Sequence, residues 1–153
     1  MALVLADTNL WLRAADPDAG QHRTAKEALK RLATDGHSVC LTAQVLMEYW
    51  AVATRPKEVN GLGWSTEKTG QEVEELRDSY VQLLDRPEVF PTWFSLGRAH
   101  DIKGKRTHDA RIAAVMAAHG VGKLLTFNGS DFASFPHVTV LEPGSVAVGE
   151  VIA

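Results

Sequence analysis

The chain has 153 residues, 45% of them hydrophobic and 23% charged, with a formal net charge of −3 and one cysteine, Cys40. A chain of this size can bury a core without staples, so one domain over 1–153 is expected. An intrachain disulfide is excluded, and the acidic balance argues against broad, charge-driven nucleic-acid binding. The longest apolar stretch, 112–118, is too short to span a bilayer, and the N-terminal MALVLAD lacks the basic start of a signal peptide, so a cytoplasmic protein with no membrane partner is expected.

Residues 3–6 form a short apolar run suited to a buried strand. Asp7, Thr8 and Asn9 follow at once, each a good helix N-cap. Residues 20–34 place Ala25, Ala28, Leu29 and Leu32 on one helical stripe, with Gly36 as a stop. Residues 38–41 predict a second strand, in which Cys40 is a small apolar residue. Thr42 predicts the cap of a helix running to about Thr54, ended by Arg55-Pro56. A turn-rich stretch at 56–66 leads into a helical pattern over 67–85, with Val73, Leu76, Tyr80, Leu83 and Leu84 as its apolar positions. Val89-Phe90 reads as a strand ending at Pro91, and 93–102 as a short helix. Thr107 is expected to cap a helix over 108–119 that Gly120 stops. Residues 123–127 predict a strand, 128–130 a turn, and 138–141 the last strand.

Short apolar strands alternating with helices imply an α/β sandwich with a mostly parallel sheet. Ligands of such sheets bind beyond the carboxyl ends of the strands. Four acids sit where they could converge there: Asp7 after the first strand, Glu48 on the helix after the second, Asp109 at a helix start, and Asp131 one turn after the 123–127 strand. Each also has a plainer reading. Asp7 could cap a helix, Asp109 could favour a helix dipole, and Asp131 could make a turn. Glu48 is the sharpest case, because its helix is apolar almost all round and an unpaired buried carboxylate is costly. Gathered together, four carboxylates repel unless they share protons or hold a cation. Hard divalent ions such as Mg²⁺ and Mn²⁺ prefer oxygen donors, and metal-assisted phosphodiester cleavage is the obvious use. The stretch RAHDIKGKRTHDAR, 98–111, brings Lys105, Arg106 and Arg111 close to Asp109. It is either a solvated loop or a phosphate-binding segment.

DTNLWL at 7–12, QVLMEYW at 44–50, HDARIAA at 108–114 and LLTFNGSDF at 124–132, with TRP at 54–56 and GLGWS at 61–65, together resemble the PIN domain. This is a family of metal-dependent ribonucleases, and the match is strongest to VapC-type toxins of prokaryotic toxin–antitoxin pairs. The resemblance spans nearly the whole chain. It implies an α/β/α sandwich with a central parallel sheet, and it puts the family's acids on Asp7, Glu48, Asp109 and Asp131. Asp101 is a spare for the third of these. Thr8, Asn9, Thr126 and Asn128 match supporting polar positions. The resemblance also implies one or two Mg²⁺ or Mn²⁺ ions, cleavage of RNA to a 5′-phosphate and a 3′-hydroxyl, a small VapB-like antitoxin as partner, and a homodimer. Lys105, Arg106 and Arg111 would meet the RNA phosphates, and Trp93 and His108 are further candidate contacts. The apolar positions of the helices at 20–34 and 42–54 are candidates for the partner groove.

Two other readings compete. A phosphatase of the haloacid dehalogenase type also places an Asp after its first strand, but it needs a second one two residues on, where this chain has Asn9. A PIN-like module could instead bind RNA or protein without cutting.

Overall fold

The structure is a computed structural model that describes residues 2–150. Its centre is a five-stranded, wholly parallel sheet in the order β3-β2-β1-β4-β5. The strands are β1 (Leu3–Ala6), β2 (Ser38–Thr42), β3 (Val81–Leu83), β4 (Lys123–Leu125) and β5 (Thr139–Leu141). β1 lies in the middle, with Leu5 opposite Cys40 on one side and Leu124 on the other. Val4, Leu5, Ala6, Cys40, Leu41, Leu124 and Leu125 are all fully buried, as strands covered on both faces must be.

The helices are α1 (Thr8–Ala15), α2 (His22–Thr34), α3 (Ala43–Thr54), α4 (Thr66–Ser79), α5 (Val89–Ala99), α6 (Arg106–Ala118) and α7 (Pro143–Ala147). α1 packs on α2 and α3, α2 on α7, and α3 on α4, while α5 packs on α6. The path β1-β2-β3 steps one way across the sheet, and β3-β4 steps back past it. Right-handed crossovers therefore put α5 and α6 on the face opposite the first group, which gives the α/β/α layering. The strand order reverses between β1 and β4. No helix among the described residues is long and apolar enough to cross a membrane.

Thr42 caps α3 as expected, its hydroxyl accepting from the Val45 amide at 3.1 Å. Three expectations fail. The helix expected over 67–85 ends at Ser79; Tyr80 is extended, and Val81–Leu83 pairs with Cys40–Thr42 as β3. The apolar VQLL run fits either period, and sheet pairing decides it. Val89-Phe90 is not a strand but the opening of α5. Pro91 sits in that first turn, where an absent N–H leaves nothing unpaired. Thr107 does not cap α6. The helix starts at Arg106, two residues before the expected start, and the Thr107 hydroxyl donates back to the Gly104 carbonyl at 2.8 Å.

Candidate carboxylate site

β1 delivers Asp7 to the point where the strand order reverses, the usual place for a ligand in an open parallel sheet. Its amide still belongs to the sheet edge, donating to the Leu125 carbonyl at 3.0 Å. Its side chain begins α1: Oδ1 accepts from the Thr8 amide at 2.8 Å. Oδ2 accepts from the Thr126 hydroxyl at 2.9 Å and from Asn9 Nδ2 at 3.3 Å. Thr126, fully buried just beyond β4, also accepts from Asn9 Nδ2 at 3.1 Å and from the Asn128 amide at 3.0 Å. With two donors aimed at its oxygen, its own proton is directed to Asp7. Asn9 Oδ1 accepts from the Phe127 amide at 3.1 Å, so one amide side chain ties the ends of β1 and β4 together. An Asp at position 9 would lose these donors and set a second carboxylate against Asp7, which disfavours the phosphatase reading.

Glu48 projects from α3 and is half-buried. Oε2 accepts from the Thr8 hydroxyl at 3.0 Å, and Oε1 from Gln44 Nε2 at 2.9 Å. Gln44 Nε2 also donates to the His108 carbonyl at 2.8 Å, joining α3 to the first turn of α6. Gln44 is buried, and its Oε1 has no hydrogen-bond partner among the described residues. The sequence reading passed over Gln44; the available signal was a polar residue four positions before Glu48 on an otherwise apolar helix.

Asp109 lies in the first turn of α6, half-buried, and Asp131 lies exposed in the 3₁₀ turn Gly129–Phe132. Arg106 ties that turn down, donating to the Asp131 carbonyl and to Ser134 Oγ, each at 3.1 Å.

The four acids act on one another. Burial raises the Asp7 carboxyl above the usual range, and the charges of Glu48 and Asp131 push it the same way, against hydrogen bonds from Thr8 and Thr126. Asp109 is pushed up to about 6, first by burial and then by Asp131, Asp7 and Glu48, with Arg106 opposing. None of the four joins a salt bridge among the described residues. Unbalanced carboxylates with hydroxyl and amide oxygens nearby suit a hard divalent cation. As the side chains stand, however, no three Asp, Glu, His or Cys groups among the described residues are close enough to hold an ion together. The acids share one electrostatic field rather than a closed ligand shell.

The remaining candidates divide. Thr8, Asn9 and Thr126 join the acid network through their side chains. Asn128 joins only through its backbone, and its side chain is exposed. Asp101 stands apart, exposed and 3.3 Å from Lys103, so it does not rival Asp109 in this arrangement. Lys105 is exposed just before α6. Arg106 is engaged by the 3₁₀ turn, and Arg111 pairs with Asp85 at 2.9 Å. Of the two apolar faces considered for a partner, that of α2 is largely taken by the core, with Ala25, Ala28 and Leu32 fully buried and Leu29 half-buried. α3 leaves Met47 (65%) and Trp50 (39%) exposed, beside Leu46 and Val73.

The sequence profile of the PIN domain matches residues 4–138. No curated protein sequence matches the chain. Among solved structures, the VapBC2 complex of Rickettsia felis, bound to a DNA fragment from its promoter, superposes with a TM-score of 0.67 at 16% identity. That match covers 91% of this chain and 97% of the other. A toxin–antitoxin complex from Klebsiella pneumoniae superposes with a TM-score of 0.64 at 21% identity, over 92% and 97% of the two chains. VapC20 of Mycobacterium tuberculosis, a toxin that cleaves the sarcin–ricin loop, gives 0.62 at 21% identity, over 86% and 95%. At these identities the likeness is one of fold.

Proposed function

This chain belongs to the PIN domain family, and on that footing we propose that it is a Mg²⁺- or Mn²⁺-dependent endoribonuclease, the toxin of a toxin–antitoxin pair. The observation that supports the proposal is the mutual influence of Asp7, Glu48, Asp109 and Asp131: Asp7 stands where the strand order reverses, and Asp7 and Asp109 are raised partly by the charges of the others. One or two divalent ions, held by these four acids, would supply Lewis-acid stabilisation of the phosphate and a more acidic water. Every other part falls to the chain itself. Thr126 and Asn9 hold the Asp7 carboxylate, and Thr8 and Gln44 hold that of Glu48. Arg106 fixes the turn that carries Asp131, and Lys105 is free to meet the RNA backbone.

A small VapB-like antitoxin would cover the exposed Met47–Trp50 face of α3, an apolar surface that a monomer in water would otherwise leave bare. A homodimer accords with this assignment. The open spacing of the acids also favours a second reading, a module that binds RNA without cutting it.

One assay separates the two. Purified protein is incubated with RNA in Mn²⁺, in excess EDTA, and as Asp7→Asn in Mn²⁺. Cleavage to 5′-phosphate and 3′-hydroxyl ends is expected only in the first. RNA that is bound but intact in all three would leave the binding module standing and remove the nuclease.

A further inference from the structure

Beside the acids lies a groove of about 630 Å³ between the start of α5 and the first turns of α6, walled by Arg86, Val89, Phe90, Trp93, His108 and Arg111. α5 turns aromatic rings outward here. Phe90 is 66% exposed and Phe94 51%, and their rings are parallel to within 5° at 6.1 Å between centroids. Trp93 lies against Phe90 at 5.7 Å, and its indole N–H donates to the Thr107 carbonyl at 2.9 Å, which fixes the ring at the groove wall. Local folding does not require two large rings on a solvated helix face, and their exposure costs solubility.

Two further features bear on what covers them. First, the rings are set among cations. The Arg98 guanidinium lies 5.7 Å over Phe94, Arg86 lines the groove, and Lys105 stands exposed before α6; Arg111 and Asp85, also in the lining, pair with each other and cancel. Aromatic faces interleaved with cations complement a polyanion carrying flat rings better than they complement an apolar protein surface. Second, the groove and the acids share the first turn of α6. His108 lines the groove, Asp109 is the next residue, and the His108 carbonyl accepts from the same Gln44 amide that donates to Glu48.

We propose that the Phe90–Trp93–Phe94 face is a stacking platform for unpaired nucleobases of single-stranded RNA, leading the strand into the carboxylate site. The proposal rests on the ribonuclease reading for the direction of the strand, but not for the stacking itself. It assigns α5 the choice of substrate. Bases already stacked within a duplex cannot lie on these rings, so single-stranded segments are selected over paired ones.

The test uses a short single-stranded RNA carrying 2-aminopurine, whose fluorescence is quenched by stacking, titrated with the protein in EDTA so that nothing is cut. Wild-type protein is expected to bind and quench. Phe90→Ala/Phe94→Ala, which removes exposed rings only, is expected to bind at least about tenfold more weakly and to lose the quenching, whereas Phe90→Trp keeps both. A blunt-ended RNA duplex is expected to bind wild type and double variant alike.

Equal affinity and equal quenching for the wild type and the double variant would overturn the platform, while metal-dependent cleavage by the same preparations would leave the nuclease standing. Quenching without cleavage in Mn²⁺ would keep the platform and remove the nuclease. A double variant that changes oligomeric state by light scattering, with RNA affinity untouched, would make the rings a protein interface and overturn the proposal.

Discussion

The Thr126 hydroxyl meets the Asp7 carboxylate at 2.9 Å across 119 residues of sequence. Both residues are buried, Thr126 fully, and the Thr126 oxygen already accepts from the Asn9 and Asn128 donors. Thr126→Val keeps the shape of the side chain, strands the Asn128 amide and leaves Asn9 Nδ2 only its bond to Asp7. A stability loss of about 1–3 kcal/mol is expected in chemical denaturation, with loss of RNA cleavage. Thr126→Ser restores the hydroxyl and should recover most of both. Full activity in the valine variant would show that Asp7 needs no such anchor.

The raised Asp109 carboxyl sets a pH dependence. Its value in the fold, about 6, lies above the ordinary 3.8, so the native state binds more protons than the unfolded chain between them. This contribution to stability is whole below pH 3.8 and is lost as pH rises through about 6. With allowance for screening at a half-exposed group, the loss is about 1 kcal/mol, or about 2–4 °C in Tm. In EDTA, Asp109→Asn should flatten that part of the Tm–pH curve. Mn²⁺ should raise the wild-type Tm most at pH 7, where the carboxylate is bare. A variant curve parallel to wild type would assign the slope to other groups.

Gln44 holds Glu48 and the start of α6 with one amide nitrogen. Gln44→Ala frees both, and a weakening of Mn²⁺ binding by about 10–100-fold, read by calorimetry, is expected. The fold should persist, since the lost Oε1 had no hydrogen-bond partner among the described residues. Unchanged metal affinity together with unchanged cleavage would reduce Gln44 to packing.

Gly129 begins the turn that carries Asp131, and a Cβ there would lie 2.6 Å from Val140 Cγ1 on β5. Gly129→Ala is expected to cost about 1–3 kcal/mol and to lower activity by moving Asp131. Val140→Ala in the same chain should recover part of both, because it removes the colliding methyl. Failure of that rescue would place the strain in the backbone of the turn instead.

The sheet, and the position of Asp7 at a strand end, were legible because they rest on local chemistry. Three-to-five-residue apolar runs have little choice but burial, and an Asp directly after such a run lies at a strand end. α4 and β3 were run together because Tyr80, Leu83 and Leu84 continue the helical spacing of Val73 and Leu76, and only the partner strand, 41 residues earlier, resolves the ambiguity. Thr107 misled for the opposite reason. It is a good cap by type, but the tight turn at Gly104, with φ +58°, starts the helix before it. Gln44 lay hidden because its role depends on a carbonyl of α6, which no spacing along α3 can show. Arg106 and Arg111 looked free, and both are occupied by partners that only the fold supplies.

The order β3-β2-β1-β4-β5 puts the first strand made by the ribosome in the middle of the finished sheet. One flank of β1 must stay open until residues 123–125 emerge, more than a hundred positions later. A chain still being translated through α6 therefore holds Asp7 with neither Thr126 nor Asp131 beside it. The four candidate acids therefore come together only once the chain beyond α6 has left the ribosome, so whatever they do jointly waits for nearly the whole polypeptide.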